Sequence, residues 1–309
     1  MPAPMPNPAH APAINSPLRG IAVRLFSAFC LTAMFACVKL AADRGVHVLE
    51  SVFFRQAAGV IVLIPIALLG PGLSALKTNR PWTHATRMVL GLIAMSLNFL
   101  SFVLLPIAEA TAIGFMVPIA ATLLSIVLLS EAVGIHRWTA IAMGFAGVLI
   151  IVRPGDGHIP LAGALVAMTG AVMTACVSII IRKLGATERP IATVFWFSLS
   201  SMLPLGIAML FVGQAHDAQA WTLIGLLSLF GAGAQFGITQ SLRMAPVSVV
   251  MPMDYSSLIW AALIGWAVWD TWPVPATWLG APLIIGSGLY IALREHRRGK
   301  SPPLTNQPT

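Results

Sequence analysis

AEATAIGFMVPIAATLLSIVLLSEAVGIHRWTAIAMGFAGVLIIVR (108–153) and PVSVVMPMDYSSLIWAALIGWAVWDTWPVPATWLGAPLIIGSGLYIALR (246–294) look like worn copies of one another. Each reads as an apolar helix, a short acidic corner, then a glycine-bearing apolar helix. The first passes through Pro118 and Glu131 to Gly144 and Gly147; the second passes through Ser257 and Asp270 to Gly280 and Gly286. At that offset Glu131 matches Asp270 and Gly147 matches Gly286. An odd number of spans separates the copies, so they enter the bilayer in opposite directions. Inverted repeats of this kind are how many secondary transporters are built.

Composition agrees with the membrane reading. Of 309 residues, 58% are hydrophobic and only 9% charged, whereas about a quarter of the residues in a soluble domain are charged. Crossing about 30 Å of hydrocarbon takes roughly 20 apolar residues. Such runs fall near 20–42, 50–70, 87–105, 107–129, 138–153, 160–181, 190–213, 220–241, 246–269 and 275–293. The expected fold is therefore an all-α integral membrane protein, with ten transmembrane helices arranged as two inverted five-helix repeats. Expected boundaries are 18–155 and 156–294, flanked by a disordered proline-rich tail at 1–17 and a cytoplasmic tail at 295–309.

The net charge of +8 is a topology signal, not a nucleic-acid footprint. With the N-terminus inside, cytoplasmic segments collect Arg19, Lys77, Arg80, Arg87, Arg137, Arg182, Lys183, Arg189, Arg243, Arg294, Arg297, Arg298 and Lys300, against Arg44 and Arg153 outside. That is the positive-inside bias. It puts both termini in the cytoplasm. Cys30, Cys37 and Cys176 all fall inside spans, which argues against a disulfide framework.

Four segments resemble a known family: Phe53-Phe54-Arg55; Ala110-Thr111-Ala112 through Pro118 to Glu131; Gly144 to Gly147 ending in Arg153-Pro154-Gly155; and Asp254-Tyr255 leading to Asp270 and Gly286. Together they resemble the drug/metabolite transporter superfamily, specifically its EamA-type ten-span members. The second corner departs from the pattern in carrying Asp270 where Glu is usual. The resemblance implies a central cavity bounded by spans 1, 3, 4, 6, 8 and 9, and a small organic solute. Riboflavin uptake and S-adenosylmethionine uptake are the bacterial precedents; export of amino acids or drugs is the alternative within the fold.

Charges inside hydrocarbon cost about 2.5–3.5 kcal/mol each on insertion scales, so each asks for a partner or a wet cavity. Lys39 and Arg55 form a candidate cationic pair for a carboxylate or phosphate, or else pair with Glu50 or Glu109. Arg24 lies near the inner boundary and is expected to snorkel. Asp254, roughly 12 Å into span 9, is read as the only acid well within a span. It could load a proton, hold a cationic group of the solute, or bond Gln235 or Gln240. Tyr255 and Trp260 could stack on a planar ring. Asn98, Thr111 and Gln235 are further lining candidates, each also readable as a helix–helix hydrogen bond.

Pro118 and Pro252 free the carbonyls of Gly114 and Ser248, and such broken backbone borders binding zones in transporters or serves as a packing kink. Gly144 and Gly147 allow close helix approach, as a moving seam or as static packing. The histidines are expected in loops, with none inside a span. No metal, cofactor or catalytic cluster is indicated, so an enzyme is not expected, and a channel would normally show a filter built from oligomeric symmetry. The partners implied are a small solute and lipid, with coupling to protons or a counter-solute open.

Overall fold

The structure, a computed structural model, describes residues 17–69, 72, 76–78, 80–129, 135–153, 159–185, 187–188 and 190–298. The helices are α1 (Pro17–Ala42), α2 (Val48–Leu69), α3 (Pro81–Leu104), α4 (Ile107–Gly114), α5 (Val117–Leu129) and α6 (Ile135–Val152). They continue as α7 (Leu161–Gly185), α8 (Pro190–Val212), α9 (Ala218–Met244), α10 (Val247–Val250), a 3₁₀ segment (Met251–Ser256), α11 (Ser257–Trp269) and α12 (Pro275–Arg298). No strand occurs among the described residues. Four helices open on proline, at Pro17, Pro81, Pro190 and Pro275, where the missing N–H would have had no intrahelical partner.

Seven helical stretches among the described residues are long and apolar enough to cross a membrane: α1, α2, α3, α4–α5 taken together, α7, α8 and α9. Trp138–Val152 and Pro275–Ile291 are shorter apolar helices. The remaining expected span is the broken unit α10–α11. The corner at Ser130-Glu131, Pro154 and Gly155, the residues before Pro17 and those after Arg298 lie outside the described residues. Helix α12 runs on to Arg298, past the point where the C-terminal tail was expected to begin.

Helix pairing exposes the internal symmetry. Helix α1 packs on α9, α3 on α7, α2 on α8, α4 on α11 and α6 on α12. Exchanging the halves (α1 with α7, α2 with α8, α3 with α9, α4–α5 with α10–α11, α6 with α12) turns the α1–α9 contact into α7–α3 and returns the other three pairs to themselves. The chain is an all-α membrane protein of two repeats. Local caps repeat as well. Helix α3 ends at Leu105-Pro106 and α9 at Ala245-Pro246, and in each the cap N–H bonds the carbonyl of a serine four residues back, Ser101 or Ser241. The proline then forbids continuation.

Two buried carboxylate–histidine pairs follow the same exchange. Glu50, 1% exposed at the start of α2, accepts from the backbone N–H groups of His47 (2.7 Å) and Gln214 (3.1 Å) and meets the His216 ring at 3.1 Å. Glu188, just before α8, meets the His84 ring at 2.6 Å and accepts from the Thr78 hydroxyl. One pair ties the start of α2 to the α8–α9 connection; the other ties the approach to α8 to the start of α3. Because α2 and α8 enter from opposite faces, the two latches sit at opposite ends of the bundle.

His84 and Arg87 correct the sequence reading. His84 was expected in a loop and Arg87 at the cytoplasmic edge of a span, yet both lie within α3, 5% and 7% exposed. The reason is Pro81, which starts α3 six residues before Arg87.

Candidate functional site

Both halves break a helix at the same place. Helix α4 stops at Gly114; the N–H groups of Phe115 and Met116 reach back only three residues, to Ala112 and Ile113. The α-pattern resumes after Pro118, which has no N–H to return to Gly114. In the second half the break is the 3₁₀ segment containing Pro252. Phe115 and Tyr255, 140 positions apart, occupy these two breaks and meet edge-to-face with ring centroids 5.0 Å apart. The discontinuities therefore touch near the axis relating the halves.

Asp254 lies in this 3₁₀ segment and finds its partner across the halves. Arg24 of α1 donates Nε and Nη2 to its two carboxylate oxygens at 2.5 Å each, a bidentate fork. Arg24 does not snorkel: its side chain is 6% exposed, while that of Asp254 is 43% exposed. Only the fork to Asp254 offsets the desolvation of the guanidinium, whose Nη1 is buried without a partner. The partner is thus Arg24, not Gln235 or Gln240. The result is a charge-neutral unit with one accessible carboxylate edge. Next to it, Trp260 lies edge-on to Phe29 at 5.3 Å, and its indole N–H is buried without a partner. Phe29 in turn meets Phe230 at 6.2 Å. Aromatic faces, an accessible carboxylate and a free indole donor suit a planar, hydrogen-bonding solute.

The other sequence candidates lie elsewhere. Lys39 donates its ammonium to the carbonyls of Phe102 (3.2 Å), Val103 (2.9 Å) and Leu105 (3.0 Å), so it caps the C-terminus of α3, where a cation is favoured. Arg55 donates to Gln56 at 2.7 Å and lies along α9 at Gly231. Neither bonds Glu50 or Glu109, because Glu50 serves its latch and Glu109 accepts from Thr277 at 2.9 Å. Glu109 is 3% exposed within α4, so Asp254 is not the only acid inside the bundle. Asn98 bridges to Thr174 at 3.1 Å on the α3–α7 seam. Thr111 returns its hydroxyl to Ile107, and Gln235 is partly buried on α9.

Small residues close the seams around the breaks. A Cβ at Gly237 would meet Ser27 at 2.8 Å, and one at Gly233 would meet Cys30 at 3.3 Å. Ser27 also donates to the Ala234 carbonyl at 2.8 Å. A Cβ at Gly144 would meet Ser287 at 2.6 Å, whereas at Gly114, on the break, it would meet nothing within 4 Å. A surface groove of about 290 Å³ lined by Leu40, Arg44 and Leu223 lies towards the opposite end of α1 from Arg24. The candidate site rests on the convergence of polar and aromatic groups, not on that groove.

The family model described as "EamA-like transporter family" matches residues 18–153 and again 161–293. The chain belongs to the EamA-like transporter family. It is 30% identical over 287 residues to a riboflavin transporter of Rhizobium johnstonii, covering 92% of each chain. It is 25% identical over 252 residues to an S-adenosylmethionine uptake transporter of Rickettsia prowazekii, covering 81% of this chain and 85% of that one. A solved crystal structure shares the fold with a TM-score of 0.60 at 19% identity, over 92% of this chain and 99% of the other. The EamA chain described here is accordingly a multi-pass membrane transporter, and its two family matches divide it where the helix exchange does.

Sequence reasoning missed the Arg24–Asp254 pair because the residues are 230 positions apart. The available signal was charge count: a buried acid in one repeat and a buried base in the other.

Proposed function

We propose that this EamA protein is a secondary transporter for a small organic metabolite of vitamin, amino-acid or nucleotide-like character, with riboflavin the first compound to test. It works by alternating access in a bacterial inner membrane, with both termini in the cytoplasm. The observation that carries the reading is the meeting of two broken helices from opposite halves, with Asp254, Tyr255 and Trp260 beside the junction. Broken helices at a repeat interface are where transporters bind solute. The names of the relatives favour planar, nitrogen-rich solutes, and the aromatic flank of Trp260 and Phe29 matches that shape.

Flavin fluorescence provides the test. Titrating riboflavin with purified protein is expected to quench its emission to a saturable end point as the ring stacks. Trp260→Leu is expected to weaken binding about tenfold, the loss of one stacking partner. Absence of quenching together with binding of S-adenosylmethionine moves the solute class; absence of either, with no effect of Trp260→Leu on any bound metabolite, removes the site.

Alternating access also assigns opposite roles to the two latches. Glu50→Ala strips acceptors from the Gln214 and His47 N–H groups, a cost of about 1–3 kcal/mol for each donor left buried, and favours opening at the α1–α2 end. Glu188→Ala favours opening at the other end. Thiol labelling of Cys30 and Cys37, 2% and 7% exposed, is expected to rise from opposite sides of the membrane in the two variants. Labelling from the same side in both would contradict alternating access.

A further inference from the structure

Away from the break, helices α2, α3, α8 and α9 meet at a junction that holds two arginines without a carboxylate. Arg87 of α3 is 7% exposed and lies with its guanidinium carbon 4.1 Å above the Phe197 ring of α8. Its Nε and Nη1 are buried and make no hydrogen bond. Arg55 of α2 bonds only Gln56, and its Nε is likewise buried and unpaired. A Cβ on Gly59, one turn beyond Arg55, would meet the Ser198 hydroxyl at 2.9 Å, so the α2 face that carries Arg55 lies against the turn of α8 whose Phe197 ring sits under Arg87. By contrast, Arg24, the other buried arginine described, has Asp254.

The surrounding orphan groups are donors too. Gln56 is fully buried with its amide NH₂ unpaired, and the Ser198 hydroxyl, also fully buried, has no partner. Each unpaired donor at such depth is costly, and two uncompensated guanidinium groups are costlier still. The nearby carboxylates are committed: Glu50 to its latch at one end, Glu188 to His84 and Thr78 at the other. Arg55 stands about 10 Å along α2 and Arg87 about 9 Å along α3 from the opposite face, so both reach towards mid-depth.

We propose that Arg55 and Arg87 form a seat for one oxyanion, a carboxylate or phosphate group carried by a small solute. Arg55 Nε and Arg87 Nε and Nη1 are three buried donors without a partner, and a guanidinium can serve an oxyanion bidentately where an ammonium cannot. Gln56 and Ser198 complete the donor set. The seat rests on the transport reading in that the anion arrives on a solute, and it narrows that reading to a metabolite bearing a carboxylate or phosphate, which riboflavin itself lacks; depth in the bundle argues against a lipid headgroup as its source.

The test uses the full chain in detergent, melted in sodium phosphate or in sodium chloride at matched ionic strength. Phosphate is expected to raise the melting temperature by roughly 2–4 °C in a saturable manner. Arg87→Met is expected to abolish that rise while raising the melting temperature in chloride, because it removes an unpaired buried charge. Arg55→Lys is expected to retain the charge and lose most of the response. No phosphate-specific rise in the native protein overturns the proposal. So does an Arg87→Met protein that melts lower and still responds to phosphate, which marks a structural arginine. Repeating the titration in nanodiscs of phosphatidylcholine or phosphatidylglycerol separates the sources: a response erased by the anionic lipid assigns the seat to a headgroup and overturns the solute reading. None of these arms requires transport, so failure of the seat leaves solute uptake to be judged separately.

Discussion

Replacing Asp254 by asparagine is expected to lower the melting temperature and to cut solute uptake at least tenfold. The substitution keeps shape but leaves the buried Arg24 guanidinium without its counter-charge. Removing one member of a buried pair typically costs about 3–5 kcal/mol. The Asp254 side chain is 43% exposed, so solvent screening brings the expected loss to about 2 kcal/mol. The double variant Arg24→Met, Asp254→Leu carries no orphan charge and is expected to recover most of the stability but none of the uptake. Thermal denaturation and uptake measured on all three proteins separate the roles. Recovery of uptake along with stability in the double variant would make the pair purely structural.

The second large effect is at the contact of α6 with α12. A Cβ on Gly147 would meet the Gly280 carbonyl oxygen at 2.7 Å and Ile284 at 2.8 Å, and a Cβ on Gly280 would press on the Gly147 carbonyl and on Ile151. The contact is reciprocal, backbone against backbone. Gly147→Ala must push the helices apart and is expected to destabilise by about 1–3 kcal/mol. Gly286, the position matched to Gly147 in sequence, has nothing within 4 Å of its would-be Cβ. Gly286→Ala is expected to be neutral or to stabilise by up to about 1 kcal/mol through helix propensity. Paired melting curves check the sign of each; equal losses at both positions would show that the close approach is not what matters.

Much of the fold was legible because hydrocarbon imposes length and apolarity on every span. The repeat, the broken units at Pro118 and Pro252, and membership of the family were all written in local sequence. What was not legible is which charges meet. Arg24 and Arg87 sit near the ends of apolar runs, where a snorkelling or loop charge and a buried one have the same sequence context. Only packing distinguishes them: α1 lies against the 3₁₀ segment, and α3 against α8. Lys39 illustrates the same limit. An ammonium late in α1 looks like a ligand-binding charge until the carbonyl end of α3 is placed over it. The Gly147–Gly280 contact was hidden because sequence offset aligns repeats along the chain, whereas a helix crossing is fixed by the interhelical angle.

Counterflow in proteoliposomes tests the central claim most directly. Vesicles preloaded with unlabelled riboflavin, or with whichever metabolite binds, are diluted into a trace of the labelled compound without any ion gradient. A carrier that exposes one solute site to each side in turn predicts a transient internal accumulation of label above the external concentration, lost with Asp254→Asn. Simple equilibration with no overshoot, in native protein that demonstrably binds the compound, would contradict alternating access through the paired breaks.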